Sequence, residues 1–297
     1  MPHPADSADP ASAVDLSALL RDAAQTLAAA GVADPQVDAE LLAGHVLGVG
    51  RGQVQAASVR GDHVAAADRA AFEALVARRA SREPLQHLTG LAPFRHLELH
   101  VGPGVFVPRP ETEVLAQLAI DALRQVASEA PVAVDLGSGS GAIALAMATE
   151  VPYARVHAAE LSAEAIAWTR RNVDAFAPEV TLVQADLADA FPELDGVVDV
   201  VASNPPYVPD DAIPRDPEVR HYDPPRALYG GADGLDAIRV LSRTGLRLAR
   251  PGGFLAIEHG EWQGEAVRAI LTADGWRAAA THPDLTLRDR VTTAIRP

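Results

Sequence analysis

Val132-Ala133-Val134-Asp135-Leu136-Gly137-Ser138-Gly139-Ser140-Gly141 runs from an apolar stretch into a glycine-rich turn, and Ala142-Ile143-Ala144-Leu145 follows at once with helix formers. A short apolar run, a turn that spares side chains and a helix start make one strand–loop–helix unit. The alternation continues downstream. The spacing predicts strands at 155–160, 180–184, 197–203 and 253–258, helices at 111–128, 142–149, 163–176, 235–249 and 263–273, and two end strands near 277–281 and 291–295. Val197-Val198-Asp199-Val200-Val201 and Phe254-Leu255-Ala256-Ile257 suit central strands covered on both faces. The pattern predicts an α/β fold, a doubly wound, mostly parallel Rossmann-like sheet. Such sheets bind ligands at the carboxyl ends of their strands, where the motifs below fall.

Upstream the pattern is different. Residues 13–83 read as a small helical bundle. Leu16, Leu19, Leu20, Ala23 and Leu27 recur at helical spacing until Gly31. A second helix from Asp34-Pro35 carries Val37, Leu41, Leu42, Val46 and Leu47, and a third at 64–80 carries Phe72, Leu75 and Val76. This domain holds no cluster of acids, bases or nucleophiles, so its expected role is packing or substrate recognition. In residues 84–108, Pro84, Pro93, Pro103 and Pro108 punctuate short apolar pieces such as Leu97-Glu98-Leu99 and Val105-Phe106-Val107. That reads as a hairpin connector, with the α/β domain covering 109–297. His96 and His100 stand four apart there, a spacing that serves a metal only on a helix and with further ligands, so no metal site is expected. Met1 to Ser12, rich in Pro, Ala, Asp and Ser, reads as a disordered tail rather than a signal peptide.

Composition narrows the function. The 297 residues carry 25 Lys and Arg against 40 Asp and Glu, a formal charge of −15. An acidic surface repels phosphate backbones and argues against a general nucleic-acid binder. No cysteine is present, which excludes thiol catalysis, disulfides and cysteine-ligated zinc. No apolar run approaches the roughly 18 residues of a membrane helix, so a cytoplasmic protein is expected.

Three strand ends carry candidate ligand groups. In Gly137-Ser138-Gly139-Ser140-Gly141 the glycines let a ligand approach the backbone, and free N–H groups at the helix start favour electronegative atoms. The spacing is G-x-G-x-G and not the G-x-G-x-x-G of dinucleotide binders; a structural tight turn is the alternative. Glu160 ends the second strand, where it reads either as an acceptor for two ribose hydroxyls or as a solvated charge. Asp186, after the third strand, suits an adenine amine, with Leu187 packing on the ring.

The sharpest signal is Ser203-Asn204-Pro205-Pro206-Tyr207 after the fourth strand. Prolines lack N–H donors, which leaves the Pro205 carbonyl without local partners, and Asn204 adds a side-chain carbonyl beside it. Two acceptors that close together match the two N–H bonds of a planar NH₂ group. Tyr207 offers a flat face to a planar substrate. A proline-rich strand stop is the bland alternative.

With these two motifs the chain resembles the S-adenosylmethionine-dependent amino-methyltransferases, which act on planar NH₂ groups of bases or glutamine side chains. Further stretches resemble, more narrowly, the bacterial release-factor glutamine methyltransferase family. They are Pro84-Leu85-Gln86-His87-Leu88-Thr89-Gly90, Val107-Pro108-Arg109-Pro110-Glu111-Thr112-Glu113, Asp223-Pro224-Pro225-Arg226-Ala227-Leu228 and Gly230-Gly231-Ala232-Asp233-Gly234-Leu235. The resemblance spans about residues 14 to 297. The chain departs from the family in having Glu160 for Asp, Asp223-Pro224 for Glu-Pro, Leu287 where glycine is usual, and Leu187 in the place of an indole.

The resemblance implies S-adenosyl-L-methionine as cofactor, held by Gly137, Ser138, Gly139, Ser140, Gly141, Glu160, Asp186, Leu187 and Asn204. It implies Asn204, Pro205, Pro206 and Tyr207 as the catalytic segment. The implied substrate is the glutamine of the Gly-Gly-Gln motif in class I peptide chain release factors, and a monomer is expected. A ribosomal-protein glutamine and a flipped adenine are the alternatives; a non-catalytic cofactor-binding adaptor and a nicotinamide dehydrogenase rank behind them. The proline-rich segment Asp210–Tyr229 reads as a long loop and a candidate lid.

Overall fold

The computed structural model describes residues 14–297, so the expected tail at 1–12 lies outside the described residues. The chain forms two compact units, one reaching to Gly90 and including Asp216–Tyr222, the other comprising Leu91–Arg215 and Asp223–Pro297.

The first unit is helical. Its elements are β1 (Val14–Asp15), α1 (Leu16–Ala29), α2 (Pro35–Leu47), α3 (Arg51–Arg60), β2 (His63–Val64), α4 (Ala66–Ala80), α5 (Leu85–Thr89) and, from far along the chain, α9 (Pro217–Tyr222). Asp15 starts α1 by accepting the N–H groups of Ser17 and Ala18 at 2.7 and 3.2 Å. Gly48, at φ +66°, ends α2 in the left-handed conformation. Leu16, Leu19, Leu20, Leu27, Leu42, Phe72 and Val76 meet in one core, as their spacing predicts. Helix α3 was not legible, because only Val54 of its ten residues is buried and no apolar stripe marks it. The two-residue strand pair Val14–Asp15 with His63–Val64 also escapes sequence reading.

Helix α9 corrects the expectation of a long loop over 210–229, which also contains α10 (Pro225–Leu228). Within the helical unit, Glu218 of α9 accepts from Arg82 Nε and Nη2 at 2.8 and 2.6 Å and from Arg79 Nη1 at 2.8 Å. Arg79 also holds Asp38, at 2.7 Å. Burial alone would raise the Glu218 pKa, but the two guanidinium groups outweigh it and hold the carboxyl at about 2.

The second unit opens with a hairpin, β3 (Leu91–Phe94) against β4 (Leu97–His100). Val105-Phe106-Val107 is not a strand, although Val105 and Val107 are buried with Ala92 and Val101. The unit continues with α6 (Thr112–Gln125), β5 (Val132–Leu136), α7 (Ala142–Glu150), β6 (Arg155–Glu160), α8 (Ala163–Phe176), β7 (Thr181–Gln184) and β8 (Val198–Ser203). After α10 come α11 (Asp236–Leu248), β9 (Ala249–Glu258), α12 (Gly264–Asp274), β10 (Arg277–Pro283) and β11 (Asp289–Ile295). The seven strands lie in the order β10-β11-β9-β8-β5-β6-β7. β9, β8, β5, β6 and β7 are parallel neighbours, while β11 is antiparallel to β9 and to β10.

Period-two alternation divides the central strands between two cores. Ala133, Val156, Val200 and Ala202 face α6, α7 and α8, and Val132, Val134, Leu136 and Val201 face α11 and α12. The chain builds outward from β5 to β7 and then returns to β8 on the other side of β5. That return is the topological switch point, where α/β sheets open a crevice. Ser203 Oγ donates to the Leu136 carbonyl at 2.5 Å and ties the two strand ends together there.

Candidate active site

At the end of β5, the loop of Gly137 to Gly141 is tied to its neighbours through backbone groups. Gly137 and Ser138 both donate N–H to the Ala159 carbonyl of β6, at 2.9 and 3.0 Å. Thr169 Oγ1 donates to the Gly139 carbonyl at 2.6 Å, and Asn172 Nδ2 to that of Ser140 at 2.9 Å. Asp135 is wholly buried and accepts the Ala144 N–H at 3.0 Å, so it caps α7 and uses one of the N–H groups expected to face a ligand. Burial pushes its pKa up to about 7, against the Ala144 hydrogen bond.

The residues around this loop fit a nucleoside. A Cβ built on Gly137 or Gly139 would meet no atom within 4 Å, so the loop presents bare backbone to open space. Glu160 accepts the N–H of Gly139 on Oε2 and that of Ser162 on Oε1, both at 2.8 Å. Those bonds fix the carboxylate's orientation and leave each oxygen a second lone pair for a hydroxyl. Ser138 Oγ is buried without a hydrogen-bond partner. Asp186 is exposed and accepts the Ala188 N–H on Oδ1 at 2.9 Å, and Leu187 is half-buried against the core.

Across the switch point, Asn204 follows β8. Its Nδ2 donates to Thr112 Oγ1 at 3.2 Å. No donor among the described residues bonds its Oδ1 or the carbonyl of Pro205. The Tyr207 carbonyl accepts Gln263 Nε2 at 2.9 Å, and its hydroxyl donates to Glu258 Oε1 at 3.3 Å. Glu258 ends β9 at 2% exposure, its Oε2 without a partner. Burial pushes its pKa up to about 7, opposed by the Thr112 hydroxyl, Arg290 and Tyr207. Burial and the Glu258 charge in turn drive the Tyr207 phenol well above its usual range.

Sequence reading missed the groups behind the motif. Thr112, Glu258 and Gln263 touch Asn204 or Tyr207 from three distant stretches. A carboxylate closing the buried run Phe254–Ile257 was the available signal, because such charges rarely go under cover without a task. Arg109 and Asp223, in two of the motif stretches, pair at 2.6 Å, with the guanidinium 5.0 Å from the Phe106 ring centroid.

Residues 18–90 match the family model of the PrmC N-terminal domain, and residues 96–216 that of the methyltransferase small domain. The release factor glutamine methyltransferase of Streptomyces coelicolor is 53% identical over 94% of this chain and 97% of its own. The chain belongs to the release factor glutamine methyltransferase family. That of Bifidobacterium longum is 44% identical over 93% of this chain and 98% of its own. A 4-amino-L-phenylalanine/4-methylamino-L-phenylalanine methyltransferase of Streptomyces pristinaespiralis is 41% identical, covering 96% and 97%. A Thermus thermophilus 16S rRNA methyltransferase solved with AdoMet and guanosine shares the fold, with a TM-score of 0.52 at 20% identity over 70% of this chain and 50% of its own. The protein is a methyltransferase of a family whose methyl donor is S-adenosylmethionine. Among the described residues no helix is long and apolar enough to cross a membrane.

Proposed function

We propose that this enzyme methylates the side-chain amide nitrogen of the glutamine in the Gly-Gly-Gln motif of class I release factors. The observation that carries the reading is the pair of acceptors without donors, Asn204 Oδ1 and the Pro205 carbonyl, in consecutive residues at the switch point. Two such acceptors suit the two N–H bonds of one planar NH₂ group.

An amide nitrogen is a poor nucleophile because its lone pair is delocalised into the carbonyl. Asn204 and Pro205 hold both N–H bonds and favour a pyramidal nitrogen whose lone pair points away from them. Pro206 stiffens the segment through its fixed φ, and the Tyr207 ring lies against the flat side of the amide. S-Adenosylmethionine supplies an electrophilic methyl group on a sulfonium. Gly137, Ser138, Gly139, Ser140, Gly141, Glu160, Asp186, Leu187 and Asn204 are the residues to hold it. One proton leaves the nitrogen once the N–C bond has formed. Positioning supplies most of the acceleration, for which roughly 7 to 11 kcal/mol is accessible, with preset polar groups adding to it.

The helical unit recognises the release factor through a separate contact, and the α/β unit, opening with its hairpin, carries out methyl transfer. The enzyme works in the cytoplasm as a monomer, without binding nucleic acid directly.

Methyl transfer from labelled S-adenosylmethionine tests this, with release factor, its Gly-Gly-Ala form, ribosomal protein, DNA and 4-amino-L-phenylalanine as acceptors. Label on the release factor that vanishes in the Gly-Gly-Ala form and with Asn204→Ala enzyme is the expected result. Label only on the arylamine, ribosomal protein or DNA overturns the substrate; the arylamine also carries a planar NH₂, as the Streptomyces pristinaespiralis relative's name requires.

A further inference from the structure

Among the described residues, every connection between parallel strands but one contains an α-helix. α7 leads from β5 to β6, α8 from β6 to β7, and α11 into β9. The return from β7 to β8, residues 185–197, has only a 3₁₀ turn at Pro192–Leu194. It also starts from an edge strand, since β7 has a sheet neighbour on one side only. A helix satisfies most of its own carbonyls, whereas a bare crossover must find donors elsewhere. This crossover carries Asp186 and Leu187.

Arg247, in the last turn of α11, supplies the donors. Its Nη2 donates to the Ala190 carbonyl at 2.7 Å and to that of Ala188 at 3.4 Å, and its Nη1 donates to Asp195. Its own carbonyl accepts the Gly196 N–H at 2.9 Å. The planar fork of a guanidinium reaches several acceptors from one conformation, which suits it to this task. Leu187, Ala190 and Phe191 share a core with Ile238, Leu241 and Leu248 of α11. Phe191 is held at φ +52°, a left-handed conformation that a bulky residue takes only where its surroundings impose it.

The gripped stretch is continuous with the residues that meet adenine. Asp186 Oδ1 accepts the Ala188 N–H at 2.9 Å, and the Asp186 carbonyl accepts that of Asp189 at 3.1 Å, so the turn moves as one piece with Ala188. We propose that Arg247 is a positioning residue for S-adenosylmethionine: by holding the Ala188 and Ala190 carbonyls it sets where Asp186 and Leu187 stand against the adenine. The inference rests on the reading of Asp186 and Leu187 as adenine contacts. Arg247 acts through the turn and not on the reacting atoms, so its loss is felt in cofactor affinity and not in the methyl-transfer step.

The experiment measures, by calorimetry on the full chain, affinity for S-adenosylmethionine and for 5′-methylthioadenosine, which keeps the adenosine and lacks the amino-acid end. Arg247→Met keeps the stem without the donors. It should weaken both ligands by the same factor, about tenfold. In turnover with release factor it should raise KM for S-adenosylmethionine and leave kcat at saturating cofactor unchanged. Amide exchange of the free enzyme should quicken at Ala188 and Asp189 but not along β5 and β8, whereas a merely loosened fold would quicken both. Asp195→Asn removes only a half-exposed ion pair and should bind both ligands as the wild type does; a loss of about tenfold there would assign the effect to that pair and overturn the grip on the carbonyls. In an Asp186→Ala/Leu187→Ala background, Arg247→Met should cost nothing further. Wild-type affinity in Arg247→Met, or a full second loss in that background, overturns the proposal. If Arg247→Met does not fold, Arg247→Gln, which keeps part of the donor set, takes its place with a several-fold loss expected. Wild-type affinity in Asp186→Ala/Leu187→Ala would instead sink the adenine reading itself, whereas loss there with an unaffected Arg247→Met sinks the grip alone.

Discussion

Two glycine loops flank the switch point, and the same residue serves opposite purposes in them. Gly139 sits at φ +56° with nothing within 4 Å of the position a Cβ would take. Gly234 sits at φ +73°, and there a Cβ would lie 2.2 Å from the Tyr207 carbonyl oxygen and 2.9 Å from Gln263 Nε2. The first leaves room for a ligand. The second lets one backbone press against another, so that the loop after α10 braces the catalytic segment from behind. Val208 N donates to the Leu228 carbonyl and Gly230 N to that of Val208, at 2.8 and 2.9 Å, which continues the brace. A glycine pattern in sequence does not distinguish a cradle from a clamp; the distinction lies in what stands opposite each Cα.

The difference predicts how alanine behaves at the two positions. Gly234→Ala combines left-handed strain of about 1 to 2 kcal/mol with overpacking of about 1 to 3 kcal/mol. Its expected loss of stability is about 3 kcal/mol, measured by urea denaturation. Because the strained contact is the Tyr207 carbonyl, kcat should fall in whatever fraction folds. A Gly234→Ala enzyme of wild-type stability would mean that the second loop is not a clamp.

Gly139→Ala meets no neighbour, so only the backbone strain of about 1 to 2 kcal/mol applies. Its methyl group occupies the space left for the cofactor. We expect S-adenosylmethionine affinity to drop more than about tenfold, by calorimetry, which corresponds to about 1.4 kcal/mol. A folded Gly139→Ala protein that binds cofactor normally would break the contrast from the other side.

The same contrast explains what could be read in advance. The sheet was legible because its central strands β5 and β8 are short runs buried on both faces, and the ends predicted for β6 and α8 match those observed. The glycine loop with Glu160, and Asn204 with the Pro205 carbonyl, were legible because each group of contacts comes from a few consecutive residues or from the end of an adjacent strand. The groups that hold Asn204 and Tyr207 in place were not. Thr112 lies 92 residues from Asn204, and Glu258 lies 51 from Tyr207. Only the strand order brings them together, and no local pattern encodes it. Helix α9 was illegible for the same reason, since Glu218 finds Arg79 and Arg82 across 139 and 136 residues.

Leu287 is the third case, a left-handed position without a glycine. The family resemblance gives glycine as the expected residue there, and Leu287 lies at φ +65° in the turn between β10 and β11. The turn is held by Asp284, whose Oδ1 accepts the N–H groups of Thr286 and Arg288 at 2.8 and 3.2 Å and whose carbonyl accepts that of Leu287 at 2.9 Å. The side chain is 85% exposed and contributes little burial to offset the strain. Leu287→Gly removes about 1 to 2 kcal/mol of strain and gives back about 0.4 to 1 kcal/mol through the freer unfolded chain. The net gain should be about 0.5 to 1 kcal/mol in urea denaturation, with methyl transfer unchanged. Leu287→Ala keeps the Cβ that causes the strain and should gain nothing, so a glycine variant no more stable than the alanine variant would show that the turn carries no left-handed penalty.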